Sequence, residues 1–165
     1  MPGQPKPPLD NPMGIRIVRF PPGRMATSGP GGFAPMTENF ERFSQWMSRQ
    51  PPDLSPRDFA CHSQATGQLA WVYVLPPGAD EAALDTGGFA VEDFPGGLYA
   101  ARVARDNDPD TDRVYQAILA WVREAGYQVD EGGGRGGMGH MVAPQDTQAL
   151  LGYQQMDLFI PIRAD

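Results

Sequence analysis

Few residues in this 165-residue chain have the type and spacing that chemistry needs. The first is Asp157, set inside the apolar stretch YQQMDLFIPI, residues 153–162. Strand spacing puts Met156, Leu158, Ile160 and Ile162 on one face and Tyr153, Gln155, Asp157 and Phe159 on the other. The aliphatic face suits packing against helices, and the second face combines aromatic and polar groups with one carboxylate. In LAWVYVL the same reasoning turns Ala70, Val72 and Val74 toward the helices and Leu69, Trp71 and Tyr73 away from them. A concave aromatic surface with a single acid has the composition of a pocket for an organic ligand. It particularly suits a cation, through cation–π contacts and charge pairing, and the counter-ion of Asp157 is then expected to arrive with the ligand. Against this stands the plain reading of a solvated strand acid among aromatic residues that merely pack.

Other reactive residue types point to no reaction. Cys61 and His62 are adjacent, so on a strand they face opposite ways and make a poor catalytic dyad. The run GGGRGGMGH lacks the Lys-Ser/Thr of a phosphate-binding loop and does not open a helix after a strand, and a flexible loop is expected there. His140, at its end, has no Cys or second His at metal-ligand spacing. The acidic run DNDPDTD lacks the Gly and Glu positions of a calcium loop and suits a helix entry. Glu92 and Asp93 are strand neighbours and cannot converge on one atom. No catalytic residue, metal or cofactor is expected.

The composition narrows the partners. The formal net charge is −7 and no basic cluster occurs, which argues against direct nucleic-acid binding. One cysteine excludes an internal disulfide and fits a reducing compartment. No apolar run reaches the length of a membrane span, and the N-terminus lacks a signal-peptide core. A cytoplasmic protein is expected. Its oligomeric state is left open.

Positioning Asp157 and the aromatic residues requires an ordered set of elements. Residues 1–13, rich in proline, are expected to form a flexible leader. Strands are expected at GIRIVRF and FPPGRMATS, followed by a loop, GPGGFAP, and a helix capped by Thr37 with Phe40, Phe43, Trp46 and Met47 as its apolar stripe. FACHSQ and LAWVYVL read as strands joined at Thr66-Gly67. After a surface connector come strands FAVEDF and LYAARVA. A second helix follows, with Pro109 suited to its start, Val114, Ile118, Trp121 and Val122 as its stripe and Gly126 as its stop. MVA and YQQMDLFIPI close the series.

The second half repeats the first. FPPGRMA at 20–26 aligns with FPGGLYA at 94–100, Trp46 with Trp121, and WVYV at 71–74 with DLFI at 157–160. Such duplication predicts an α+β fold of two strand–helix–strand–strand modules, about 14–78 and 88–163, with antiparallel sheets around a pseudo-two-fold axis and a central ligand groove. The expected groove residues are Trp71, Tyr73, Tyr99, Asp157 and Phe159. Tyr99 joins them because it follows the Gly96-Gly97 break, where the backbone can bend toward the groove.

FPGGLYAARVA, the helix ending ILAWVREAGYQVD and the final DLFIPI together resemble GyrI-like (gyrase-inhibitor-like) domains, over residues 14–163. The same domain forms the effector-binding part of many AraC-type and MerR-type regulators. The resemblance implies paired modules with a ligand groove between them, and a glutamate on the last strand where this chain carries Asp157. It also implies a stand-alone effector-binding protein without a DNA-binding module, taking a small hydrophobic or cationic molecule. Two further readings accompany it: a hydrolase acting on small molecules in the same groove, for which Asp157 has no evident acid–base partner, and a protein-interaction module that inhibits a topoisomerase.

Overall fold

The structure is a computed structural model that describes residues 14–62, 66–106, 108–142 and 145–164; the expected leader lies outside the described residues. The elements are β1 (Arg16–Phe20), β2 (Gly23–Gly31), α1 (Glu38–Met47), β3 (Asp58–His62), β4 (Leu69–Val74), β5 (Ala90–Phe94), β6 (Gly97–Arg105), α2 (Asp108–Glu124), β7 (Tyr127–Val129), β8 (Met138–Met141), α3 (Gln145–Leu151) and β9 (Gln155–Ala164). Both long helices follow their stripes: Phe40, Phe43 and Trp46 of α1 and Val114, Ile118, Trp121 and Val122 of α2 are buried. Thr37 occupies the N-cap position of α1, but its hydroxyl accepts from the Gly32 N–H (3.2 Å) instead of from the helix. The Asn39 amide donates to the carbonyls of Ser28 (3.0 Å) and Pro30 (2.8 Å), which ties the helix start to β2. Gly126, at φ +79°, follows α2 in the left-handed conformation that ends helices.

The described strands form one antiparallel nine-stranded sheet in the order β1-β6-β9-β8-β3-β4-β2-β5, with β7 also on β9. The order is palindromic under the internal repeat. β2, β3 and β4 with α1 make one module; β6, β8 and β9 with α2 make the other; the two join through the short β3–β8 ladder. Both helices pack on the same face. Phe43 and Trp46 cover Ala26 and Tyr73, while Val114, Ile118 and Val122 cover Ala100, Leu158 and Ile160. The α+β fold with two equivalent modules is as expected.

β1 and β5 are exchanged between modules. Each precedes one module in sequence but pairs with the other, Phe20 opposite Gly97 and Gly23 opposite Phe94. Only Pro21-Pro22 link β1 to β2, and only Pro95-Gly96 link β5 to β6. In a flat sheet β1 and β5 would stand about 30–35 Å apart; the rings of Phe20 and Phe94 are 6.2 Å apart. The sheet is therefore strongly curled, with its helix-free face inward. That face buries Phe59, Phe94, Tyr99 and Phe159. Phe20 meets all four edge-on, contacts of about 0.5–1.5 kcal/mol each beyond area burial.

Two expectations need correction. Trp71 and Tyr73 do not turn away from the helices. They pack with Phe43 and Trp46 of α1, whereas Val72 and Val74 belong to the inward cluster. Tyr73 pairs with Ala26 as Ile160 pairs with Ala100, so Trp71 corresponds to Leu158, and Ala70, not Trp71, corresponds to Asp157. The alignment of the repeat was off by one residue, which on a strand reverses the face. The glycine-rich run is also no loose loop. Gly132 and Arg135 close a turn with two backbone hydrogen bonds (3.1 and 2.9 Å), and β8 begins at Met138. The helix α3 and the strand β7 carry no clear signal in the sequence.

The two short links cross in contact. Gly96 has φ +62°, and a Cβ there would lie 2.5 Å from the Phe20 carbonyl oxygen and 2.7 Å from Pro22 N. Gly133 has a similar φ of +57° but open space around it. Gly133→Ala is therefore expected to cost about 1–2 kcal/mol, the left-handed penalty alone. Gly96→Ala should cost clearly more, about 3 kcal/mol or above, as measured by urea unfolding of both variants.

Candidate functional site

Two cavities lie at opposite ends of the β3–β8 pair, where the internal two-fold relates them. The first has a volume of about 450 Å³ and is walled by Met47, the segment Gln50–Asp58, Tyr73, His140, Val142 and Asp157. The second measures about 390 Å³, with Met25, Ala70, Val72, Phe94, Tyr99 and Met138 among its walls and residues 131–136 along one side. Both volumes fall in the range of small-molecule sites, about 300–1,000 Å³.

An arginine braces the loop of each cavity in the same manner. Arg57 pairs with Asp53 (2.6 Å) and donates to the Leu75 carbonyl (3.4 Å). Arg135 pairs with Asp130 (2.7 Å) and donates to the Ile162 carbonyl (3.5 Å), the position equivalent to Leu75. The Ser55 N–H, with Arg57 second, holds the Asp53 carboxyl below its ordinary range. Arg135 also lies over the Tyr99 ring at 4.9 Å. Burial raises the Tyr99 hydroxyl pKa, although Arg135 acts in the opposite direction.

Asp157 is one of three carboxylates in the wall of the first cavity, with Asp53 and Asp58. Its side chain is 16% exposed and its Oδ2 pairs with Arg16 at 3.0 Å, so one counter-ion belongs to the protein itself. Its Oδ1 is buried without a hydrogen-bond partner among the described residues, an arrangement that is costly unless a donor is supplied. Across the β8–β9 ladder, His140 is the residue opposite Asp157. His140 Nδ1 lies 2.8 Å from the Asp58 carbonyl oxygen and 3.5 Å from Asp58 Oδ1. A carbonyl only accepts, so Nδ1 carries the hydrogen, and in the neutral ring Nε2 keeps a lone pair.

The five residues expected to share one groove are therefore divided. Tyr73 and Asp157 line the first cavity and Tyr99 lines the second. Phe159 lies between them in the ring cluster, and Trp71 packs against Phe33, Phe40 and Phe43 on the helix side. Neither of these two lines either cavity. Sequence reasoning weighs His140 only as a metal ligand and passes over Asp58, Arg57 and Arg135, since only the folded sheet and its loops bring them to the cavity walls. It also passed over Phe20, the hub of the inward rings. The described residues hold no group of three or more His, Cys, Asp or Glu that could bind a metal ion, and no described helix is long and apolar enough to cross a membrane.

No protein-family model matches the sequence, and no curated protein matches it. Solved structures do match the fold. A hydrolase from Listeria innocua aligns with a TM-score of 0.61 at 11% identity, over 94% of both chains. The C-terminal domain of EcmrR aligns with a TM-score of 0.62 at 11% identity, over 92% of this chain and 98% of that one. SAV2435, bound to tetraphenylphosphonium, aligns with a TM-score of 0.56 at 12% identity, over 92% of this chain and 94% of that one. The chain has the GyrI-like fold.

Cys61 faces the second cavity, and burial pushes its thiol up to about 12. Since the thiolate is the reactive form, alkylation by iodoacetamide at pH 8 should be on the order of a thousandfold slower in the native protein than in urea. Equal rates would place the thiol in solvent.

Proposed function

We propose that this domain binds a small, largely apolar organic cation in the cavity beside Asp157. The observation that carries the reading is the carboxylate of Asp157, 16% exposed and with one oxygen that lacks a hydrogen-bond partner among the described residues, on a residue that lines an open cavity of about 450 Å³. A bound cation would place its positive charge beside this carboxylate. Met47, Tyr73, Val142 and the prolines at 51, 52 and 56 offer apolar surface for the rest of the ligand. The acidic balance of the chain raises the local concentration of cations. SAV2435, which shares the fold, is bound to tetraphenylphosphonium, and that ion is a suitable probe. On this reading the protein senses or sequesters its ligand, as an effector-binding domain does.

A second reading, hydrolysis in the same cavity, is favoured by His140. Its fixed tautomer leaves Nε2 as a proton acceptor at the strand position opposite Asp157, which answers the lack of an acid–base partner in the sequence. Two solved structures of this fold, both from Listeria innocua, are named hydrolases. Turnover of p-nitrophenyl acetate that is lost in His140→Ala would support this reading, and no turnover by the unmodified protein would end it.

Asp157→Asn keeps the shape and removes the charge. It should weaken tetraphenylphosphonium binding by about 1–3 kcal/mol, roughly a fivefold to 150-fold rise in Kd by calorimetry. Uncharged triphenylphosphine oxide should be nearly indifferent to the change. An unaltered phosphonium affinity in the folded variant would refute the assignment.

A further inference from the structure

We propose that the cavity at the other end of the β3–β8 pair is a second binding site, for an apolar organic cation. The chain would then hold one ligand at each end of its internal two-fold. The inference stands on residues other than Asp157. The floor of this cavity is apolar, formed by Met25, Val72, Phe94, Tyr99 and Met138. Gly132, Gly133, Gly134 and Gly136 add a side made of backbone alone, so flat peptide surface faces the occupant.

The charge of the site follows from its neighbours. Glu92 and Glu131 line the cavity, as does Arg135. Arg135 is largely committed elsewhere: it pairs with Asp130, donates to the Leu98 and Ile162 carbonyls and lies over Tyr99, while its Nε is buried without a partner among the described residues. Its charge is balanced by Asp130, which leaves the two glutamates as the net charge of the wall. Among the described residues, Glu131 receives a long hydrogen bond from the Tyr115 hydroxyl, 3.4 Å. Two carboxylates over an apolar, aromatic floor select a cation with an apolar body.

The side wall is also held in position, so the cavity is largely formed before a ligand enters. The His62 N–H donates to the Gly137 carbonyl (3.0 Å), and the backbone at Gly136 lies so close to the His62 carbonyl that a Cβ would stand 2.2 Å from it. A preformed wall reduces the ordering cost of binding. The two ends differ at equivalent positions: Asp157 lines the first cavity, and Ala70 lines the second. The second site therefore places its acids on other elements, β5 and the glycine-rich turn.

The test uses thioflavin T and the full chain, with Cys61 as a reporter, since it is the chain's one cysteine and lines this cavity. Asp157→Asn disables the first site and leaves the second intact. In that background, saturable thioflavin T binding should persist and slow Cys61 labelling by N-ethylmaleimide at least fivefold. Adding Glu92→Gln and Glu131→Gln should weaken this binding by about tenfold or more and remove the protection. Both acids are at the surface or partly so, and unfolding midpoints would confirm that the variants remain folded. Absence of saturable binding in the Asp157→Asn background, labelling unaffected by saturating dye, or affinity unaffected by the glutamine changes would each overturn the second site. Dye binding that ignores Asp157→Asn but is lost with the glutamine changes upholds this site while counting against the first.

Discussion

The architecture depends on one constraint of chain length. Each outer strand pairs with the module it does not precede, yet only two residues carry the chain from β1 to β2 and from β5 to β6. The three Cα–Cα steps across such a link span at most about 11 Å, so the two ends of an eight-strand path must come together. They can do so only by curling the sheet. The links then cross so closely that one of them needs a glycine at the crossing, Gly96. Curling places Phe20 among four rings, and their burial is the favourable contribution that offsets the strain of the bend.

The same constraint decides where a ligand can go. The middle of the inward face is filled with rings, and space is left at the two ends of the β3–β8 pair, where the ladder between modules is only a few residues long. Each end is walled by the loop that follows one helix and by strand residues of the opposite module. The arginine braces repeat, Arg57 on Leu75 and Arg135 on Ile162, so the loops are held in register by equivalent bonds. Duplication supplied two similar frames, and substitution at matching positions, Ala70 and Asp157, made them chemically different.

Much of this was legible in the sequence, for identifiable reasons. The helices α1 and α2 announced themselves by their apolar stripes, and the repeat announced the modules. The faces of β9 were legible because Asp157 alternates with aliphatic residues that pack under α2. β4 was misread because both of its faces are apolar and buried, which leaves period-two reasoning nothing to separate. A bulge in β2 between Thr27 and Pro30, where the Ser28 hydroxyl accepts from the Trp71 N–H (3.0 Å), shifts the local register invisibly to sequence. The braced glycine-rich turn was missed because composition signals freedom, whereas Arg135 supplies the anchors. The exchange of β1 and β5 was beyond reach, since strand partners are set by the whole sheet.

The proposed cation site rests on the carboxylate of Asp157 in the wall of the first cavity. A crystal structure of the protein grown with tetraphenylphosphonium tests it most directly. The phosphonium is expected within the cavity bounded by Tyr73, His140 and Asp157, with its charge on the side of Asp157. Phosphonium density confined to other surfaces, with Asp157 Oδ1 satisfied by a donor from the protein itself, would contradict it.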